Sequence, residues 1–310
     1  MNNSLCMIIP CYNEEDTLPK STITIEKKLQ DLINKNKISK NSKMMLVDDG
    51  SSDNTWQIIT KLHEQNPQFI GIKLSKNQGH QNALLAGLLT AKENFDLTIS
   101  MDADLQDDIN AVDAMIEHFY NGCEIVYGIR NNRENDSFFK KITANIFYKL
   151  MNALGAQTIN NHADFRLMSK KAINALKQFE EVNLFLRGII PLIGYKTAQV
   201  FYKRQKRTTG VSKYTLKKMI YFAIDGITSC STKLISILFF CGIISLIFSV
   251  LSLILLTITH TELISTLTLF SIWLVGGLNL IAMSIIGEFV GKTYMETKKR
   301  PKFFIEKIID

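Results

Sequence analysis

Short apolar runs alternate with stretches of helical periodicity over the first 130 residues of the chain. The apolar runs have the length of β-strands and lie at 5–9, 44–47, 70–74, 95–99 and 124–127. The intervals between them place apolar residues at helical spacing, over 14–34, 53–65, 79–93 and 108–121. Alternating strands and helices predict an α/β fold, with a mainly parallel sheet covered by helices on both faces.

A polar cluster follows each of the first four predicted strands. In chain order, the clusters read PCYNEED, DDGSSDNT, SKNQGHQNA and MDADLQDD. Ligands of parallel sheets bind beyond the carboxyl ends of the strands, which all lie at one edge. We therefore expect these four loops to form a ligand site at that edge.

The acidic cluster after the fourth strand contains the tripeptide DAD. Asp102, Asp104 and Gln106 alternate on a segment that we expect to be extended, so their oxygens would face one side. Carboxylate and amide oxygens suit Mg²⁺ or Mn²⁺, with phosphate oxygens and water completing the shell. The alternative is a polar turn with helix-capping aspartates. We assign Asp107 and Asp108 to the first turn of the next helix, where negative charge favours the helix dipole.

The loop after the second strand, VDDGSSDNTW, has a partly structural explanation. Gly50 allows a tight turn, and Ser52 or Asp53 can cap the following helix. This explanation leaves Asp48 and Asp49 without a role. A carboxylate at this position can accept hydrogen bonds from a base N–H or a ribose hydroxyl.

Two long uncharged segments lie near the carboxyl terminus, at 234–256 and 263–286, with the short link 257–262 between them. Each is long enough to cross the roughly 30 Å hydrocarbon layer, which predicts a transmembrane hairpin within 234–290. The alternative is a pair of buried core helices. Residues 212–233 are predicted to form an amphipathic interfacial helix, for which an ordinary surface helix is the alternative.

The distribution of basic residues predicts how the hairpin is oriented. Lys233 precedes the first segment, Lys292 and the run 298–300 follow the second, and the link contains no Lys or Arg. By the positive-inside rule, both termini are cytoplasmic and 291–310 forms a cytoplasmic basic tail. The formal net charge is +7, and much of it lies beside the apolar segments, where it suits anionic lipid head groups. We therefore expect a membrane and not a nucleic acid as the partner.

Several classes of protein are disfavoured by missing motifs. The chain contains no G-x-S-x-G, no Walker A loop and no G-x-G-x-x-G, which argues against a serine hydrolase, a P-loop NTPase and a dinucleotide enzyme. Its five cysteines show no metal-binding spacing and fit a reducing compartment. The five histidines are scattered and form no metal-binding pair.

The motifs taken together resemble those of the family 2 glycosyltransferases. The similarity is greatest to the polyprenyl-phosphate branch, which includes dolichyl-phosphate mannose synthases and bactoprenol glucosyltransferases. The resemblance covers nearly the whole chain and rests on these segments: IIPCYNEE, LVDDGSSDNT, NQGHQNALLAG, MDADLQDD, VYGIRNNRENDSFFKK, ADFRLMSKKA, LFLRGIIPLIGY, RQKRTTGVSKY and IGEFVGKTYMETKKRP.

The resemblance implies a GT-A type catalytic domain over 1–211 and a role for individual residues. The nucleotide pocket would be lined by Pro10, Tyr12, Glu14 and Asp49. The metal and the diphosphate would be held by Asp102, Asp104 and Gln106, and Asp164 would lie near the reacting carbon. Phosphate would be bound by Arg130, Lys141, Arg207 and Lys213.

The implied activity is inverting transfer of a hexose from a nucleotide sugar to undecaprenyl phosphate, at the cytoplasmic face of a bacterial inner membrane. UDP-glucose is the favoured donor, with GDP-mannose or a modified UDP-pentose as the alternatives, and Mg²⁺ or Mn²⁺ as the cofactor. A flippase partner and a homo-oligomer are further expectations. A non-catalytic membrane scaffold is the alternative from another class. Lys140-Lys141 departs from the Lys-Arg that relatives often have, and lysine lacks the bidentate fork with which arginine binds phosphate.

Overall fold

The structure is a computed structural model, and it describes most of the chain apart from two long segments. The described residues are 2–131, 162–182, 185–203 and 264–310, together with single helical positions at 244, 247, 251 and 254. The predicted interfacial helix (212–233) lies outside them. Of the first predicted membrane segment (234–256), only those four single positions are described.

Eight described strands form one mixed sheet. The strands are β1 (Leu5–Cys11), β2 (Lys43–Asp48), β3 (Phe69–Leu74), β4 (Leu97–Ser100), β5 (Ile125–Arg130), β6 (His162–Ser169), β7 (Thr197–Tyr202) and β8 (Ile305–Ile309). Their order across the sheet is β7-β5-β6-β4-β1-β2-β3-β8. β6 and β8 run antiparallel to their neighbours, whereas the other adjacent pairs are parallel. The prediction of a mainly parallel sheet is confirmed.

Helices cover both faces of this sheet. They are α1 (Leu18–Asn34), α2 (Thr55–Gln65), α3 (His80–Asn94), α4 (Ala111–Tyr120), α5 (Lys170–Leu176) and α6 (Leu186–Leu192). A seventh described helix, α7 (Ile264–Thr297), contributes no residue to the two hydrophobic cores of the sheet. Two hydrophobic cores result from the alternation of side chains along the strands. Leu5, Met7 and Ile9 of β1 face the core beneath α1, α2 and α4, while Cys6 and Ile8 face the core beneath α3, α5 and α6.

The carboxyl-terminal strand corrects part of the predicted tail. Residues 305–309 form β8, which pairs antiparallel with β3 at the edge of the sheet. Lys73 forms an ion pair with Glu306 at 2.8 Å, and the backbone of Ser75 donates to the carbonyl of Phe304 at 3.0 Å. The tail prediction followed the basic residues and overlooked IEKII, a short sequence with the apolar content of an edge strand.

One described helix is long and apolar enough to cross a membrane. The candidate span is Leu274–Thr297 in α7, and none of it is buried against the described part of the chain. α7 contains nearly all of the second predicted segment and continues beyond it to Thr297. The described residues contain this one candidate span, so the two-helix hairpin stays a prediction.

Candidate active site

The carboxyl ends of four parallel strands meet at one edge of the sheet. β1, β2, β3 and β4 end at Cys11, Asp48, Leu74 and Ser100, respectively. Parallel pairing places the loops that follow these strands side by side. The structure thus confirms that the four polar clusters converge.

The loops after β1 and β2 are joined by hydrogen bonds between side chains and backbone. Asn13 donates its backbone N–H to the hydroxyl of Ser51 at 3.0 Å, and its side-chain oxygen accepts from the backbone of Ser52 at 2.9 Å. The backbone of Glu15 donates to the carboxylate of Asp53 at 3.2 Å. These polar residues therefore stabilise the loops, which explains most of the DDGSSDNT cluster without a ligand.

Asp49 holds the loop that leads into α3. Its two carboxylate oxygens accept the backbone N–H groups of Gln78 at 2.7 Å and Gly79 at 2.9 Å. Burial raises the pKa of Asp49, and these two hydrogen bonds oppose the rise. The next residue, Gly50, has φ of +65°, and a Cβ there would lie 2.4 Å from the carbonyl carbon of Lys76. Only glycine fits this close approach of two loops.

The predicted nucleotide-binding residues lie around the end of β1. Pro10 is buried, Tyr12 is 42% exposed and Glu14 is half-buried. The neighbouring Asp48 is fully buried, and its Oδ1 accepts the backbone N–H of Ser51 at 3.1 Å. The Oδ2 atom of Asp48 has no hydrogen-bond partner among the described residues, and burial raises the pKa of this carboxyl group. Of the two adjacent aspartates, Asp48 is the one with a carboxylate oxygen that has no hydrogen-bond partner among the described residues.

The acidic loop after β4 is a turn and not an extended segment. The chain leaves the sheet at Ser100, and Leu105 adopts a left-handed conformation with φ of +49°. The backbone of Gln106 donates to Oδ1 of Asp104 at 3.2 Å. The prediction that Asp102, Asp104 and Gln106 share a face by strand alternation is therefore wrong in its geometry. A non-glycine residue in this conformation is uncommon and is typical of functional loops.

Asp102 and Asp104 are both half-buried at the mouth of the site. Burial raises the pKa of Asp102, and the nearby carboxylates of Asp107, Asp164 and Asp104 raise it further against the opposing charge of His80. Among the described residues, no group of three or more His, Cys, Asp or Glu is arranged to hold a metal ion. The described residues thus contribute the carboxylates of Asp102 and Asp104 here.

Asp164 lies at the centre of an ionic cluster built from four elements. Arg187 of α6 binds it through two hydrogen bonds, Nε to Oδ1 at 3.2 Å and Nη2 to Oδ2 at 2.9 Å. Nε2 of His80, the first residue of α3, lies 3.4 Å from Oδ2 of Asp164 and 3.8 Å from Oδ1 of Asp102. Nη2 of Arg166 approaches Oδ1 of Asp164 to 3.9 Å. The cluster therefore connects β6, α6, α3 and the acidic loop.

The charges in this cluster shift the pKa values of Asp164 and His80. Burial alone would raise the pKa of Asp164, but Arg187 and His80 outweigh it and hold this pKa well below its usual range. Burial alone would lower the pKa of His80, but its hydrogen bond to Asp164 and the charges of Asp102 and Asp164 raise it to about 9. Asp164 is thus a carboxylate at neutral pH.

A buried ion pair between Asp107 and Arg130 joins the acidic loop to the end of β5. Asp107, with 2% of its side chain exposed, accepts hydrogen bonds from Arg130 at 3.0 Å and 3.2 Å and from the hydroxyl of Tyr202 at 2.5 Å. Burial alone would lower the pKa of Arg130, but the interactions with Asp107 and Tyr202 outweigh burial and raise it. Asp108 accepts from the backbone of Asn110 at 3.0 Å. The sequence-based assignment of a capping turn therefore fits Asp108 but is wrong for Asp107.

The structure brings together the predicted residues at the ends of β1, β2 and β4, and Asp164 of β6. It places Arg130 in the pair with Asp107, and it gives no contact between Arg130 and Asp164. Three predicted phosphate-binding residues lie outside the described residues: Lys141, Arg207 and Lys213.

Sequence reasoning missed several members of the site. His80 was counted among scattered histidines, although its position directly after the third strand was a usable signal. Arg166 and Arg187 lie within motifs noted for their resemblance but received no role. No sequence signal distinguishes the buried Asp107 from its neighbour Asp108.

Comparison with known proteins identifies the family to which the chain is similar. The sequence profile described as "Glycosyl transferase family 2" matches residues 6–177. "Uncharacterized glycosyltransferase YkoT" of Bacillus subtilis (strain 168) is 45% identical over 309 residues, which cover 97% of this chain and 91% of the relative. "Prophage bactoprenol glucosyl transferase homolog" of Escherichia coli (strain K12) is 34% identical over 310 residues, covering 98% and 99% of the two chains.

One of the solved structures that are similar to this chain shares little of its sequence. Mannosyl-3-phosphoglycerate synthase from Rubrobacter xylanophilus shares 13% identity with this chain, with a TM-score of 0.48 and coverage of 73% of each chain.

Proposed function

Because the chain belongs to glycosyl transferase family 2, and is a glycosyltransferase, we propose that it transfers a hexose from a nucleotide sugar to a polyprenyl phosphate. UDP-glucose is the proposed donor and undecaprenyl phosphate the proposed acceptor, with inversion at the anomeric carbon. The observation that carries the proposal is the Asp102–His80–Asp164–Arg187 cluster at the carboxyl edge of the sheet. The name of the bactoprenol glucosyl transferase homologue supports this choice of donor sugar and acceptor.

The nucleotide is proposed to bind at the ends of β1 and β2. Tyr12 is exposed there, with Pro10 and Glu14 beside it. Asp48 supplies a buried carboxylate oxygen without a partner among the described residues, which suits the N–H of a base or a ribose hydroxyl. Asp49 acts through the loop it holds, since both of its oxygens are bonded to backbone N–H groups.

A divalent cation, Mg²⁺ or Mn²⁺, fits the donor set of the acidic loop. Asp102 and Asp104 are hard oxygen ligands, and a cation held by one or two carboxylates completes its shell with substrate phosphates and water. Burial is the main cause of the raised pKa of Asp102, and the nearby carboxylates of Asp107, Asp164 and Asp104 add to it; a bound cation would offset both effects. When bound, the cation would neutralise charge that grows on the departing diphosphate. Gln106 is the third proposed ligand.

Asp164 is proposed to orient the cations around it and not to abstract a proton. Its pKa is held well below the usual range, so it is a weak base at neutral pH. The acceptor phosphate has a second pKa near 6 and is already largely ionised. A phosphate oxygen can therefore attack the anomeric carbon directly, and direct displacement inverts its configuration.

This assignment predicts the pH dependence of the reaction. The pKa of Asp164 is lowered, so the residue stays ionised throughout the range from pH 5 to 8 and contributes no titration there. Rates should fall toward acid because the acceptor phosphate becomes protonated, with an apparent pKa of about 6. Measurement of kcat/KM against pH should show the same acidic limb in Asp164→Asn, at a lower overall rate. Loss of that limb in the variant would identify Asp164 as the general base.

The acceptor phosphate requires cations at the membrane-facing part of the site. Arg130, Lys141, Arg207 and Lys213 are the proposed ligands. The side chain of Arg130 is 25% exposed, and its ion pair with Asp107 fixes its orientation at the end of β5. The helix α7 is proposed to anchor the domain in the bacterial inner membrane, as one half of the hairpin with both termini cytoplasmic. A flippase would carry the lipid-linked sugar across the membrane. Copies of the chain are proposed to pack together through the hairpin, which a measurement of oligomer size in detergent tests.

The donor is tested by a transfer assay with undecaprenyl phosphate in detergent, with Mg²⁺ or Mn²⁺. UDP-glucose should give lipid-linked sugar faster than GDP-mannose or a modified UDP-pentose. A preference for either of the others would keep the reaction class and change the sugar. Absence of lipid-linked product with every donor would instead favour the non-catalytic scaffold.

A further inference from the structure

The chain returns from the candidate membrane helix α7 to the sheet through residues 298–304. Phe303 packs against the core beneath α3, α5 and α6, and the strand that follows it, β8, pairs with β3. The carbonyl of Phe304 accepts the backbone N–H of Ser75 at 3.0 Å. The end of α7 is therefore tied to the sheet by the chain that continues from it.

The same part of the chain contacts the loop that follows α5. Oε2 of Glu296, in the last turn of α7, accepts the backbone N–H of Val182 at 2.7 Å. Nζ of Lys302 donates to the carbonyl of Phe179 at 3.1 Å. The described residues of this loop, 177–182, are thus held at two points by the carboxyl-terminal part of the chain.

Lys302 and three glutamates lie close together at this contact. Burial lowers the pKa of Lys302, and the carboxylates of Glu181, Glu296 and Glu180 oppose that change. Burial and the charge of Glu296 raise the pKa of Glu181, and Lys302 opposes the rise. Each of the two hydrogen bonds to the loop has one charged partner, which makes it stronger than a bond between neutral groups.

The loop leads into α6, which carries a member of the ionic cluster. α6 begins at Leu186, whose backbone N–H donates to the side-chain oxygen of Gln81 in α3 at 2.7 Å. The next residue, Arg187, makes its two hydrogen bonds to Asp164. Val182 lies four residues before Leu186, so a loop held at Val182 restricts the positions that the start of α6 can reach.

We propose that Glu296 is a positioning residue for the active site, because it holds the loop before α6 and so keeps Arg187 against Asp164. Lys302 supports the same loop. The proposal rests on the proposed function for the reaction that the site catalyses. Removal of the Glu296 carboxylate should release the loop locally while the rest of the fold persists, since short connecting segments open independently of the core.

Hydrogen–deuterium exchange tests the proposal without requiring turnover. The full chain in detergent is compared with Glu296→Ala, and exchange is followed by mass spectrometry in the peptide that contains Leu186 and Arg187. Loss of a hydrogen bond to a charged acceptor should speed exchange there about 10-fold or more, while peptides of β1 and β2 exchange at the wild-type rate.

Sugar transfer by the same variant measures the consequence for the reaction. The kcat of Glu296→Ala should fall about 10-fold or more, because a small misplacement of a positioned group slows a reaction. Its affinity for UDP in the presence of Mn²⁺ should stay at the wild-type value, since the nucleotide is proposed to bind at the ends of β1 and β2.

A conservative variant and a matched control accompany Glu296→Ala. Glu296→Gln keeps an oxygen that can accept from Val182, so its exchange and kcat should stay closer to wild type. Glu288→Ala removes another carboxylate of α7, which pairs with Lys292 of the same helix at 3.9 Å. That control should leave exchange in α6 and kcat unchanged.

Three results would overturn the positioning role of Glu296. The first is wild-type exchange at α6 in Glu296→Ala, and the second is faster exchange that extends equally to β1 and β2, which reports a general loss of stability. The third is faster exchange confined to α6 with a wild-type kcat. If Glu296→Ala does not fold, Lys302→Met takes its place with the same outcomes. Wild-type protein that transfers no sugar would contradict the proposed function, and exchange would still decide whether Glu296 holds α6.

Discussion

Replacement of Asp104 by asparagine should lower the rate of sugar transfer about 10³-fold, because metal stabilisation of developing charge contributes several kcal/mol to the transition state. The substitution keeps the shape of the side chain and its capacity to accept the backbone N–H of Gln106. It removes the negative charge with which a cation would be held. The fold should therefore survive while the reaction is lost.

Initial rates at saturating donor and acceptor, measured over a range of Mn²⁺ concentrations, check this expectation. Asp108→Asn is the matched control, because Asp108 lies in the same loop and accepts a local bond from the backbone of Asn110. That control should keep the wild-type rate. If Asp104→Asn and the control both keep the wild-type rate, Asp104 does not hold a metal ion that the reaction needs.

Replacement of Asp107 by alanine should destabilise the fold by about 3 kcal/mol, since removal of one partner from a buried ion pair leaves the other uncompensated. Asp107 is nearly fully buried, and it accepts hydrogen bonds from both Arg130 and Tyr202. Its loss also frees Arg130 from the orientation in which we propose that it meets the acceptor phosphate. The effect should therefore appear in both stability and acceptor affinity.

Thermal unfolding should register the loss as a fall in Tm of about 6 to 12 °C. Tyr202→Phe is the graded control, because it removes the hydroxyl that donates to Asp107 and accepts from Nε of Arg130, and it should cost about 1 to 2 kcal/mol. Equal Tm values for Asp107→Ala and the wild type would show that the pair with Arg130 does not stabilise the fold.

The first five strands and four helices were predictable because each has a clear apolar period. β6 was not, because HADFRLMS places Asp164 and Arg166 in a buried strand where an apolar pattern would be expected. These two charges compensate each other only in three dimensions. β8 was missed for a related reason, since Lys307 and Glu306 made a short edge strand resemble part of a basic tail.

The site was predictable by location more than by residue. Parallel strands bring their carboxyl ends together whatever the loops contain, so the edge was identified correctly. Adjacent residues of like type were not separable by sequence. Backbone N–H groups bond to both carboxylate oxygens of Asp49 but to only one oxygen of Asp48, and Asp107 and Asp108 differ in burial. Both distinctions depend on how neighbouring loops approach.

The central claim is that the cluster of Asp102, His80, Asp164 and Arg187 serves sugar transfer to a lipid phosphate. The most direct measurement incubates the full chain with UDP-glucose, Mn²⁺ and undecaprenyl phosphate, extracts the lipid and determines the anomeric configuration of its sugar by NMR. We expect glucosyl-phosphoryl-undecaprenol with a configuration opposite to that of the donor. A lipid-linked sugar with retained configuration, or glucose released only to water, would contradict the account.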